Sequence, residues 1–223
     1  MKAIVLAAGR GERMRPITDK MPKPLVPVAG KPLIGYHLES LARCGIRDIV
    51  INLSYLGSMI REALGDGGRY GVHIAYSDEG PVALETGGGI FNALRLLGPD
   101  PFLVVNGDIW TDFDFSRIAL APNARAHLVL VPNPAYLRGD FDVDGDRIVE
   151  ASQRPYTYSG IGVYTSEFFA GCQPGKFPLL PLLKRAIAAH QLSGEVYRGD
   201  WSDIGAPERL AALEERLAAG RVA

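Results

Sequence analysis

The stretch LAAGRGERMRPITDKMPKPLVPVAGKPL, residues 6–33, follows a short apolar run, Ala3, Ile4 and Val5. That run reads as a buried strand ending in two closely spaced glycines, Gly9 and Gly11. Glycines at a strand end leave bare backbone N–H groups for a phosphate. Arg10, Arg13, Arg15, Lys20, Lys23 and Lys31 are spread through the stretch with five prolines. A loop so rich in proline is not a helix, and its cations supply counter-charge to an anion. The combination points to a nucleoside triphosphate. Two commoner glycine loops are excluded. The dinucleotide fingerprint G-x-G-x-x-G would need glycine where Met14 stands, with a helix running on through Pro16. The P-loop needs G-K-[ST], and Gly30-Lys31 is followed by Pro32.

Working outward, continuous apolar runs at Ala3–Leu6, Asp48–Leu53, Val72–Tyr76, Pro101–Val105 and His127–Val131 predict strands buried on both faces, as in a parallel sheet. Helical patterns lie between them. Leu33–Cys44 stops at Gly45 and Tyr55–Leu64 at Gly65. A third runs from about Gly88 to Leu97, with Thr86 as N-cap and Gly98 at its end. This alternation implies a right-handed α/β sandwich. Beyond residue 132, residues 139–164 predict hairpin strands around an Asp-Gly turn. Helices are then expected at Leu179–His190 and Pro207–Ala219. No repeat or linker divides residues 1–223, so one domain is expected.

The pattern L-A-A-G-x-G-x-R-x-x-P-x-T-x-x-x-P-K is met by Leu6, Ala7, Ala8, Gly9, Gly11, Arg13, Pro16, Thr18, Pro22 and Lys23. It resembles the signature of the sugar-phosphate nucleotidylyltransferases, which join a nucleoside triphosphate to a sugar 1-phosphate and release pyrophosphate. The resemblance implies a Rossmann-like three-layer α/β sandwich with a mixed, mostly parallel sheet. It implies no C-terminal β-helix domain in a chain of this length. Ala8, Gly9, Gly11, Glu12, Arg13 and Lys23 would hold the nucleotide, with Gly87, Gly88 and Asn106. Arg13, Lys23 and Asp108 would carry catalysis.

Asp108 follows a strand in Asn106-Gly107-Asp108, and ligands of open parallel sheets bind outside the carboxyl ends of strands. Asp203 lies in Trp201-Ser202-Asp203-Ile204-Gly205, which is similar to the family's W-x-D-x-G. The resemblance makes Asp108 and Asp203 ligands of Mg²⁺. That cation favours one or two carboxylates plus waters and substrate phosphates. Leu84 to Ile90 corresponds to the family's L-G-T-A-G-A-[IL] run near the nucleobase, with Glu85 where relatives have glycine. Gln153-Arg154-Pro155 stands where many relatives read E-K-P, so Arg154 would hold the sugar's phosphate. By the same likeness Asn106, Gly139, Asp140, Glu150 and Tyr158 join the sugar-phosphate pocket, and Ser159 is a further candidate.

The segment Asp140–Gly145 matches the first half of a calcium loop. The match fails at the twelfth position, Ala151, and a solvated hairpin is expected there. The histidines form no hydrolytic constellation: His37 lies on a helical face, and His73 and His127 lie in strand patterns. None is needed, because a sugar 1-phosphate is an anionic nucleophile. Charge neutralisation and in-line positioning are then the main catalytic terms. Substrate identity rests on the resemblance alone: short length, TDKMPKPL, VALETGGG and WSDIG look like the branch of the family that would take UTP and an N-acetylated, lactyl-bearing sugar 1-phosphate. Mannose 1-phosphate with GTP, and glucose 1-phosphate with UTP or dTTP, stay open. A net charge of −1 gives no nucleic-acid footprint. No apolar run approaches the ~18 residues of a membrane span. Cys44 and Cys172 are too few for a disulfide framework and suit a reducing cytoplasm.

Overall fold

The computed structural model describes residues 1–150 and 152–220. Its strands are β1 (Ala3–Leu6), β2 (Pro27–Val28), β3 (Lys31–Pro32), β4 (Asp48–Leu53), β5 (His73–Asp78), β6 (Phe102–Asn106) and β7 (Ile109–Thr111). They continue with β8 (Ala126–Pro132), β9 (Asp142–Asp144), β10 (Arg147–Val149), β11 (Tyr156–Tyr164), β12 (Leu192–Val196) and β13 (Trp201–Asp203). The helices are α1 (Leu33–Arg43), α2 (Gly57–Leu64), α3 (Glu85–Leu97), α4 (Leu180–Ala188) and α5 (Pro207–Ala218).

Nine strands form one mixed sheet in the order β5-β4-β1-β6-β11-β8-β12-β10-β9. The half from β5 to β6 is parallel, and β11 runs against both β6 and β8. The chain leaves β1 toward β4 and β5, then returns to β6 on the other side of β1. That reversal opens a crevice at the carboxyl ends of β1 and β6, where ligands of open α/β sheets bind.

The pleat sorts β1 between two cores. Ala3 and Val5 join the apolar cluster to which α1 and α2 contribute Ile34, Leu38, Leu41 and Ile60. Ile4 joins the opposite cluster, with Ile90 and Ala93 of α3 and Leu183 of α4. Helices therefore cover both faces, and the three-layer sandwich stands. A third, smaller core gathers Met14, Val26, Val28, Leu33, Trp110, Ile204 and Leu213. It fastens the opening loop and the end of β13 to α5. Each large aliphatic side chain fully buried there contributes about 1.5–3 kcal/mol.

Three local expectations need correction. The predicted strand over Val72–Tyr76 is β5, which lies at the sheet edge, and His73 and Ala75 are exposed rather than doubly buried. Thr86 does not cap α3. The helix begins one residue earlier, and the Leu84 N–H at its start donates to Glu79 Oε2 at 2.7 Å. His127 does meet a hydroxyl, with Nδ1 2.9 Å from Ser193 Oγ. That hydroxyl is 4% exposed, beside the start of β8 at the sheet end away from the crevice, so it links two strands. The hairpin of β9 and β10 forms as expected around Gly145-Asp146. Ala151, the failed calcium-loop position, lies outside the described residues.

Candidate active site

The crevice is an open cleft of about 470 Å³ whose lining includes residues 6–13, Lys23, Asn106 and Asp108. Its floor is built by backbone fit. Asn52 Oδ1 accepts the Ala7 N–H at 2.6 Å, anchoring the chain as it leaves β1. Gly107 donates to Leu6 O at 2.9 Å. A Cβ on Gly107 would stand 2.5 Å from that same oxygen, so only glycine brings Asp108 so close to the loop. Gly11 has φ +64° and lies over Thr18 and Lys23. The Thr18 hydroxyl donates to Gly11 O at 2.8 Å. Thr18 is therefore a brace for the glycine turn. Among the described residues the N–H groups of Ala8, Gly9, Arg10 and Gly11 have no protein acceptor, which leaves them for an anion.

The fold then sorts the six cations of the opening stretch. Arg15 pairs with Asp19 at 3.1 Å in solvent, and Lys31 pairs with Glu39 at 2.5 Å. Arg10 borders the cleft, its guanidinium 5.3 Å above the Tyr55 ring. Arg13 and Lys23 line the cleft. The Lys23 side chain is 8% exposed, and its Nζ lies 2.8 Å from Asp108 Oδ2.

Asp108 and Asp203 come together through the ladder of β7 and β13. Asp203 pairs with Ile109, next to Asp108, and the Ile204 N–H donates to Asp108 O at 2.9 Å. Each carboxylate has one oxygen held by a cation: Asp108 Oδ2 by Lys23 and Asp203 Oδ2 by Arg209 of α5. Gly205 leaves the space into which Arg13, Asp203 and Arg209 converge. A Cβ there would lie 2.9 Å from Arg13 Nη2, 2.8 Å from Asp203 Oδ1 and 2.6 Å from Arg209 Nη2.

Other predicted residues fall elsewhere. A Cβ on Gly87 would strike Phe177, and one on Gly88 would strike the Gly175 carbonyl. Gly88 N–H donates to Phe177 O at 3.0 Å. These glycines admit the 175–177 segment against α3. In the cleft their place is taken by Asn52, Glu79, Glu85 and Thr86. Glu79 Oε1 accepts from Asn52 Nδ2 at 2.6 Å, and burial pushes the Glu79 carboxyl above its usual range. Glu85 adopts φ +60°, a conformation that favours glycine.

Of the sugar-side residues Asn106 lines the cleft, and the others lie outside that lining. Gly139 packs on the Arg154 backbone, and Asp140 Oδ2 accepts the Tyr158 N–H at 2.9 Å. Glu150 turns to Lys184 of α4, 3.1 Å away. The Tyr158 hydroxyl points inward, 3.0 Å from that of Tyr164, and burial pushes both phenols up. Ser159 is 1% exposed and donates to Val129 O at 2.7 Å. A bulge between Tyr158 and Ile161 causes both changes. Gly160 sits in it at φ +84°, where a Cβ would be 2.7 Å from the Asn106 side chain. The Ser159 side chain is therefore buried in the sheet, whereas Tyr158 stays half-buried.

Sequence reasoning missed Asn52, Glu79 and Arg209. Asn52 is a polar residue inside a buried strand. Arg209 is a cation in the first turn of a helix, where the macrodipole opposes it. Each was a legible anomaly.

A cleft of free amides, two facing cations and paired carboxylates at a sheet's switch point is the site of a nucleotide-handling enzyme. The chain belongs to the nucleotidyl transferase family, whose profile matches residues 2–134. It is 49% identical to the N-acetylmuramate alpha-1-phosphate uridylyltransferase of Neisseria meningitidis serogroup B, over 94% of this chain and 95% of that one. A protein of the same description from Caulobacter vibrioides is 36% identical, over 97% and 96%. The UTP–glucose-1-phosphate uridylyltransferase of a Synechocystis species is 34% identical over 70% of this chain and 44% of that one. Among solved structures, HddC from Yersinia pseudotuberculosis superposes with TM-score 0.79 at 25% identity, over 97% of this chain and 99% of that one.

Proposed function

We propose that this enzyme transfers a uridylyl group from UTP to N-acetylmuramate α-1-phosphate, giving the UDP-sugar and pyrophosphate, with Mg²⁺ as cofactor. The end-to-end match to two uridylyltransferases of that description supports the substrates; the glucose-1-phosphate and mannose-1-phosphate enzymes it resembles are longer proteins, of which it spans only 32% to 62%. The reading implies a cytoplasmic enzyme of cell-wall sugar recycling. Among the described residues no helix is long and apolar enough to cross a membrane.

The donor set fits a hard divalent cation. Asp108, in the turn before β7, lies beside Asp203 of the neighbouring β13, and each has one oxygen not held by its cation. Two carboxylates plus phosphate and water oxygens suit Mg²⁺. Bound there, the ion supplies positive charge to the reacting phosphates. The chain does the rest. The amides of Ala8 to Gly11 hold phosphate oxygens. Arg13 and Lys23 neutralise the β- and γ-phosphates and the charge that grows on the leaving pyrophosphate. A phosphate oxygen of the sugar attacks the α-phosphorus as the bond to the bridging oxygen breaks. No proton has to be removed, in keeping with a cleft that no histidine lines.

Pyrophosphate release from a panel of nucleoside triphosphates and sugar 1-phosphates tests this. UTP with N-acetylmuramate α-1-phosphate should give the highest kcat/KM. Release from no pair would refute the activity, and a preference for GTP with mannose 1-phosphate would replace the substrates.

A further inference from the structure

Arg209 reaches both halves of the site. It stands third in α5, with its side chain 19% exposed against an Asp203 side chain 17% exposed. The exposed rim pair of Lys184 and Glu150 shows more than half of each side chain to water. Solvent therefore screens the Arg209–Asp203 pair far less. Nη1 of Arg209 bonds Asp203 Oδ2, and Nη2 faces the space left by Gly205. Above the guanidinium, 4.9 Å from its Cζ, lies the ring of Tyr136. Tyr136 is 56% exposed, in the loop that leads from β8 to Gly139 and Asp140 on the sugar side. That distance allows a cation–π attraction. A large aromatic ring in solvent has little else to hold it.

We propose that Arg209 is a positioning residue: it fixes Asp203 Oδ2 so that Oδ1 is presented to the divalent cation, and through Tyr136 it draws the 133–138 loop over the sugar-phosphate half of the site. The proposal deepens the reading above and rests on it. It separates from a simpler role by sign. A guanidinium that merely competes with the cation for Asp203 should, once removed, leave metal binding tighter. A guanidinium that orients the carboxylate should leave it weaker, as loss of partners behind metal ligands does by roughly 10–100-fold.

The experiment is Mn²⁺ titration of the full chain, followed by electron paramagnetic resonance, with a non-hydrolysable UTP analogue present. Wild type, Arg209→Gln and Arg209→Lys are compared, with thermal melting as the check on folding. Arg209→Gln should weaken Mn²⁺ at least about tenfold. Arg209→Lys, which keeps a charge but not the planar fork, should recover part of that loss. Tyr136→Ala should raise KM for the sugar phosphate several-fold while KM for UTP and Mn²⁺ affinity stay within about twofold; Tyr136→Phe, which keeps the ring, should match wild type. Unchanged or tighter Mn²⁺ binding by Arg209→Gln overturns the proposal and leaves the activity standing. An unchanged sugar-phosphate KM in Tyr136→Ala overturns the coupling to the loop. Failure of wild type to bind Mn²⁺ overturns both the proposal and the metal assignment beneath it.

Discussion

His37 should make the protein sensitive to mild acid. The residue lies on α1 behind Asp108, 2% exposed, and its Nε2 has no partner among the described residues. Burial lowers its pKa from 6.5 to about 4, against smaller upward pulls from a hydrogen bond to the Ile109 backbone and from the Asp108 charge. The sign follows from proton counting. Above the unfolded value of 6.5 both states are neutral and His37 adds no pH dependence. As pH falls below it, the unfolded chain takes up a proton that the folded chain refuses until about 4, so stability drops across that window. The full difference, some 2.5 units at about 1.4 kcal/mol each, comes to about 3 kcal/mol. At about pH 5, roughly 2 kcal/mol of it is already lost. Urea unfolding of wild type and His37→Gln at about pH 7.5 and pH 5 isolates the group, because every other titration is common to both proteins. Wild type should lose about 2 kcal/mol more than the variant on acidification. A difference below about 0.5 kcal/mol would mean that the imidazole is hydrated or protonated in the folded state, and the reasoning fails.

Two further outcomes test the cleft. Lys23→Ala and Asp108→Ala should each cut kcat by at least about 10²-fold. Lys23→Ala should lower stability by less than about 1.5 kcal/mol, since Asp108 is well hydrated, and Asp108→Ala by about 1–3 kcal/mol, since it leaves the 8% exposed Lys23 unpaired; near-normal turnover in either would refute the assigned roles. Gly88→Ala should destabilise by about 1–3 kcal/mol, because its Cβ meets the Gly175 carbonyl rather than a movable side chain; a fall in UTP affinity with stability intact would instead make Gly88 a ligand contact.

The parts legible in the sequence share a cause: the backbone demands a residue type. Gly11 and Gly107 are required by close approach, and Thr18 by the turn it braces. The strand-end position of Asp108 follows from the same local rules. Other parts depend on what arrives from elsewhere in the chain. Six cations look alike along residues 6–33, and only folding shows that Asp19 and Glu39 occupy two of them. Tyr158 is half-buried with its hydroxyl turned to Tyr164, an arrangement set by the bulge after it that no local pattern announces. Gly87 and Gly88 carry a second demand that no local pattern announces, the docking of the 175–177 segment against α3. The third core escaped notice because its members are scattered from Met14 to Leu213.

That third core has a consequence for biosynthesis. The opening loop is translated well before β13 and α5, which bring Asp203 and Arg209. A growing chain can thus form β1, β4 and β6 and a nucleotide-sized crevice long before it owns a complete pair of carboxylates. On the roles proposed above, competence arrives only when the opening loop and α5 are sutured together through that core.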